Sequence, residues 1–159
     1  MKTTIRTLAL LLAALTLTLC FAACGSSAEL VFTVKDVDIA IGESADSVLE
    51  KLGSWGSMNS SDSCGGFKGK DYIYSYSGYR VSTTPSQNGN VVCKIELTDD
   101  SVKTPQGLYI GMSRTDAVAA MKGFQSVSVG DNLVYTAGSV KLQVVFRDDV
   151  VTGIMYVAA

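Results

Sequence analysis

Hydrophobic and polar positions between residues 41 and 157 change period in the same way twice. In residues 41–53, IGESADSVLEKLG, Val48, Leu49 and Leu52 share one helical stripe. In residues 110–123, IGMSRTDAVAAMKG, Ala117, Val118 and Met121 form the corresponding stripe. Each segment opens on Ile-Gly and carries the signals of a helix start and stop. Ser44 and Ser113 can cap backbone N–H groups, Asp46 and Asp116 complement the dipole of the first turn, and Gly53 and Gly123 suit a left-handed end. Helices of about ten residues do not persist alone in water, so both predicted helices need a sheet to lie on.

The period then shortens to two. Tyr72, Tyr74 and Tyr76 alternate with smaller residues, Ser77-Gly78 reads as a two-residue hairpin turn, and residues 79–83 return. That turn sets Tyr76 opposite Tyr79, Tyr74 opposite Val81 and Tyr72 opposite Thr83, with Ser75, Arg80 and Ser82 on the reverse face. Asn88-Gly89 turns the chain again into residues 91–97. After the second helix the same plan recurs in residues 133–136, 140–147 and 150–157, joined through Ala137-Gly138-Ser139 and Asp148-Asp149. Residues 91–97, VVCKIEL, correspond to residues 150–156, VVTGIMY, and residues 30–41 read as a leading strand. The expected class is therefore α+β, with two tandem repeats at residues 30–103 and 104–159. Each is a short helix followed by a three- to four-stranded antiparallel meander.

Upstream the pattern is different. Lys2 and Arg6 precede an uncharged, Leu- and Ala-rich run at residues 7–24, a secretory signal pattern whose length also suits a retained membrane span. It ends in Phe21-Ala22-Ala23-Cys24, which resembles the lipobox of bacterial lipoproteins; Phe21 stands where lipoboxes usually carry Leu, Val or Ile. The resemblance implies that residues 1–23 are a lipoprotein signal peptide and that Cys24 becomes the lipidated first residue, followed by a flexible tether up to residue 29. Two acyl chains on one cysteine hold a protein at a bilayer for good, which points to the outer face of the cytoplasmic membrane.

Composition narrows the chemistry. Among 159 residues, 47% are apolar, enough to fill a core, and there is no histidine, which removes the commonest general base and most zinc sites. Losing residues 1–23 reduces the thirteen basic residues to eleven against fifteen acidic ones, taking the net charge from −2 to −4. Such a balance does not hold nucleic acid. Cys20 leaves with the signal and Cys24 takes lipid, so Cys64 and Cys93 remain, either as a disulfide or as two separately buried thiols.

A Gly-opened helix followed by antiparallel strands, occurring twice behind a lipidated cysteine, resembles the tandem-repeat fold of β-lactamase-inhibitor protein. It also resembles the single-repeat small lipoprotein subunit of the outer-membrane β-barrel assembly machine. In letters, Ser63-Cys64, Phe67, Gly69-Lys70-Asp71, Tyr72, Tyr74 and Gly78, together with residues 97–107, LTDDSVKTPQG, are similar to uncharacterised surface lipoproteins of Firmicutes. None of these resemblances implies a reaction.

The candidate chemistry agrees. Asp99-Asp100 and Asp148-Asp149 have the spacing of turn residues rather than of paired catalytic carboxylates, and Asp36 and Asp38 lack a calcium-loop spacing. No nucleophile elbow, Ser-x-x-Lys or phosphate loop occurs, so no cofactor and no metal follow. The tyrosine stripe either packs under a helix or stacks on a partner. Residues 54–63, SWGSMNSSDS, read as a polar loop carrying Trp55 and Met58; Trp55 either caps the helix end or binds. The expectation is a non-enzymatic, lipid-anchored module that binds or assembles a protein partner, with a contact surface made of Trp55, Met58, Arg80, Ser82, Lys94, Glu96, Lys141 and Gln143. Its rivals are an inhibitor of a secreted or periplasmic enzyme and an envelope hydrolase with a site between the repeats.

Overall fold

A computed structural model describes residues 29–159; the signal segment, Cys24 and most of the tether lie outside the described residues. The elements run β1 (Phe32–Val34), β2 (Val37–Ile39), α1 (Ala45–Leu52), β3 (Ser57–Asp62), β4 (Lys70–Ser75), β5 (Tyr79–Ser86), β6 (Gly89–Leu97), α2 (Arg114–Ala120), β7 (Ser126–Val129), β8 (Asn132–Ala137), β9 (Val140–Arg147) and β10 (Val150–Ala158). Eight of the ten strands form one antiparallel sheet in the order β3-β4-β5-β6-β10-β9-β8-β7; β1 and β2 pair separately. Over the described residues the protein is thus α+β, mostly antiparallel sheet with two short helices.

The alternation read from the sequence sets the register. Tyr72 faces Thr83, Tyr74 faces Val81 and Ser75 faces Arg80, as a two-residue turn at Ser77-Gly78 requires. Val81 continues onto Ile95, and Ile95 onto Tyr156 across the central β6–β10 seam. On this face lies the core. Tyr79, Val81, Val92, Ile95, Leu142, Val144, Ile154 and Tyr156 are buried with Val48 of α1, Ala117 of α2, Met121 just beyond that helix, and Phe32 and Ile39 of the β1–β2 hairpin. Phe32 sits between Tyr79 and Tyr156, with ring centroids 5.5 and 5.8 Å away.

Each helix is tied to the sheet by the same backbone geometry. The Gly42 N–H donates to Val92 O and the Gly111 N–H to Val151 O, both at 2.8 Å. In return the Val92 N–H donates to Glu43 O at 2.9 Å and the Val151 N–H to Met112 O at 2.8 Å. Gly42 and Gly111 have φ of 91° and 95°, a conformation glycine enters without strain. Register shifts also fall at matching places, leaving Cys93 unpaired in β6 and Thr152 unpaired in β10. The Cys93 thiol donates to Ser82 O at 3.3 Å, and the Thr152 hydroxyl to Val145 O at 3.5 Å.

Several sequence expectations change. Residues 30–41 form a hairpin rather than one strand, turning at Lys35 and Asp36 with φ of 50° and 63°. Residues 57–62 are an edge strand, not a loop, because β4 supplies backbone partners that their polar side chains do not advertise. The Ser113 hydroxyl caps the Asp116 N–H at 3.2 Å, whereas Ser44 makes no side-chain cap. Helix α2 ends at Ala120, so Gly123 lies beyond it, and Val118 is 49% exposed, off the buried stripe.

Candidate binding surface

Both helices and the β1–β2 hairpin contribute to the same core, on one face of the large sheet. The opposite face carries no covering element among the described residues. The register lays out what it displays. One rung reads Arg80, Glu96, Met155, Gln143 and Val134; the next reads Ser82, Lys94, Val157, Lys141 and Thr136. The sheet therefore brings six expected contact residues, Arg80, Ser82, Lys94, Glu96, Lys141 and Gln143, onto one side.

Their roles differ. The Glu96 carboxylate lies 4.0 Å from Arg80 and 3.5 Å from Lys94, so two cations share one anion at partly exposed positions. Such pairs contribute little to stability and leave positive charge available. Ser82 is a correction: at 8% exposed it offers almost no contact surface, since Ile73 and Lys94 flank it on the neighbouring strands. Nor is the face uniformly polar. Beyond Gln143 and Lys141 it becomes a groove of about 440 Å³ lined by Val127, Val129, Val134 and Val145 with those two side chains. Sequence reading passed over β7, although the Ser-Val alternation of residues 126–129 was the signal for it.

Trp55 and Met58 belong elsewhere. Met58 pairs with Tyr74, whose neighbour Val81 is in the core, so it points to the helix side of the sheet. The Trp55 ring meets the Tyr74 ring edge-on at 5.0 Å, and Trp55 and Met58 remain 43% and 45% exposed. The single contact surface expected from the sequence is thus split between the two sides of the sheet. The tyrosine stripe is graded: Tyr79 is buried and stacked on Tyr76 at 4.9 Å, while Tyr72 and Tyr74 are half-buried. Burial first, and the neighbouring Tyr76 second, push the Tyr79 hydroxyl up to about 12.

The remaining polar groups serve the backbone. Asp99 accepts hydrogen bonds from the Ser101 N–H at 2.9 Å and the Ser101 hydroxyl, which hold its carboxyl below the usual range. Asp148 and Asp149 occupy a tight turn with φ of 52° and 58°. Arg114, not singled out from the sequence, fastens that turn: its Nε donates to Asp149 at 2.7 Å, an Nη donates to Asp131 O at 2.9 Å, and its guanidinium lies 4.1 Å from the Phe146 ring centre. Cys64 and Cys93 are free thiols, Cys64 exposed and Cys93 half-buried, so the structure holds neither a bridge nor two buried thiols. Burial, and secondarily the Asp71 charge, raise the Cys93 thiol above its ordinary value and keep it protonated.

Among the described residues no group of three or more Asp, Glu or Cys side chains converges as a metal site would require, and no helix is long and apolar enough to cross a membrane. No protein-family model, curated protein or solved structure matches this chain.

Proposed function

We propose that the protein is a lipid-anchored, extracytoplasmic module that binds or helps assemble a protein partner and has no catalytic activity of its own. The observation that carries this reading is the bare face of the eight-stranded sheet. Every covering element among the described residues packs on the other side, and the open side mixes cations, one shared carboxylate and exposed aliphatic side chains over a broad, shallow surface. Interfaces are built from such mixtures, whereas catalytic sites are concave and gather reactive groups at one point.

Two further parts complete the proposal. The chain is a tandem duplication, supported by the paired bonds of Gly42 and Gly111, the matching bulges at Cys93 and Thr152, and the succession of a helix and four strands occurring twice. Cys24 carries the lipid anchor and residues 24–29 the tether, which places the folded part at the outer face of the cytoplasmic membrane. The resemblance to β-lactamase-inhibitor protein and to the small lipoprotein subunit of the β-barrel assembly machine rests on this order of elements and on the lipobox; that to Firmicutes surface lipoproteins rests on Ser63-Cys64, Phe67, Gly69-Lys70-Asp71, Tyr72, Tyr74, Gly78 and residues 97–107.

The test is crosslinking in native membranes, with a photoreactive residue at position 143 and capture compared between the parent protein, Arg80→Glu and Trp55→Ala. Loss of the crosslinked partner in Arg80→Glu and retention in Trp55→Ala supports the open face as the contact. Loss in Trp55→Ala alone moves the contact to the helix side, and turnover of an envelope substrate by the purified protein ends the non-enzymatic reading.

A further inference from the structure

The open face has one end built for a particular kind of ligand. Strand β7 is the outermost strand of the sheet beside β8, so one side of its backbone faces no strand among the described residues. Natural edge strands are usually guarded by charge, proline or a bulge. β7 has none of these: its four residues, Ser-Val-Ser-Val, are all exposed, and Val127 and Val129 are 68% and 58% exposed. Both valines stand on the open face, over the groove that Val134 and Val145 continue inward. The other edge, β3, is a run of Ser, Asn, Met and Asp with no such groove of valines.

Charge selects the occupant. Lys141 lies in the groove and pairs with no carboxylate of the described residues, while Lys94, Arg80 and Arg147 share its face by register. Against them that face sets Glu96, already shared by two cations, and Asp71, whose carboxylate accepts a hydrogen bond from the Thr84 hydroxyl at 2.7 Å. On a protein with more acidic than basic residues the groove thus sets an unpaired Lys141 beside exposed valines, with Arg147 on the same face of β9.

We propose that β7 and the valine groove receive an extended acidic segment of the partner protein, which adds as a further antiparallel or parallel strand. On the strand face turned to the groove, aliphatic side chains at two alternate positions fill it, and a carboxylate at the next position of that same face meets Lys141. Main-chain hydrogen bonds hold such a strand and the alternate pockets select it. This inference rests on the protein-binding reading above and names the chemistry of the partner.

The experiment uses the full-length protein, purified from membranes in detergent, and a short synthetic peptide carrying valine, valine and glutamate at successive positions of one strand face and threonine on the other. Its valine–lysine counterpart and a version N-methylated along one edge are the controls. Binding of the glutamate peptide, about tenfold or more over the lysine peptide, with loss on N-methylation, is the expected result. Lys141→Glu should invert the preference, and Val127→Lys should abolish binding while leaving the thermal midpoint unchanged. Indifference to Lys141→Glu, binding unaffected by Val127→Lys, or concentration-dependent dimerisation that the peptide does not compete with would each overturn the proposal, the last in favour of edge-to-edge pairing of two copies. Failure here with crosslinking at position 143 still lost in Arg80→Glu leaves the protein-binding reading standing; failure of both removes it.

Discussion

At the scale of single residues, the least replaceable position is Gly78. Its φ is +83°, and a Cβ there would sit 2.3 Å from the Ser101 hydroxyl and 2.7 Å from a Val102 methyl, so the β4–β5 turn and the loop behind it are in van der Waals contact only because no side chain intervenes. Gly78→Ala should destabilise the protein by ~2 kcal/mol or more, from left-handed strain and a clash with packed neighbours, read as a lower urea midpoint at unchanged slope. Tyr79 sets a pH limit. Its hydroxyl ionises at 10.0 in the unfolded chain and at about 12 in the folded one, so the folded state holds the proton more tightly. The stability this contributes is complete below pH 10 and is lost as pH rises through about 12. Tyr79→Phe should flatten the fall in urea midpoint over that window; an equally steep fall would refute the assignment.

At the scale of elements, the strands buried on one face were legible and the edge strands were not. The pairings of Tyr72, Tyr74 and Ser75 with Thr83, Val81 and Arg80 followed from alternation because a slip of one residue would turn the tyrosines away from the core. Residues 57–62 bury nothing, so backbone pairing to β4 is their only reason to be a strand, and side-chain period carries no trace of it. Residues 35–36 hid a hairpin because Lys and Asp, rather than Asn-Gly, take the left-handed turn positions. The central seam makes the strongest demand. Ile154 is fully buried where β10 meets β6, and Ile154→Ala should cost ~2–5 kcal/mol through lost burial and a residual cavity. The Arg114–Asp149 clip has one partner 81% exposed, and a double-mutant cycle across it should return no more than ~1 kcal/mol.

For the whole molecule, the β6–β10 pairing decides cooperativity. It joins both helix-and-strand segments into one sheet with one core, so urea should unfold the protein in a single transition by fluorescence and circular dichroism alike. A fragment of residues 104–159 loses the β6 partners of Ile154 and Tyr156 and should stay unfolded; an independently folded fragment would separate the two segments. The candidate surface was legible only in part. Arg80, Lys94, Glu96, Lys141 and Gln143 were placed on one face by counting, but Ser82 proved covered, Met58 turned to the other side because it follows the parity of Tyr74, and Trp55 went with it by packing its ring on Tyr74. The valine groove was not anticipated, since it joins β7 to β8 and β9 across the sheet. What the sequence determined by itself was local and periodic: the helix starts, the turns between inner strands, the faces of those strands and the α+β class, all written in spacings of a few residues. Tertiary structure decided which segments became neighbours, and hence which side of the sheet was covered and where cations and valines met. Those outcomes depend on contacts between residues far apart in the chain, which no short-range pattern records.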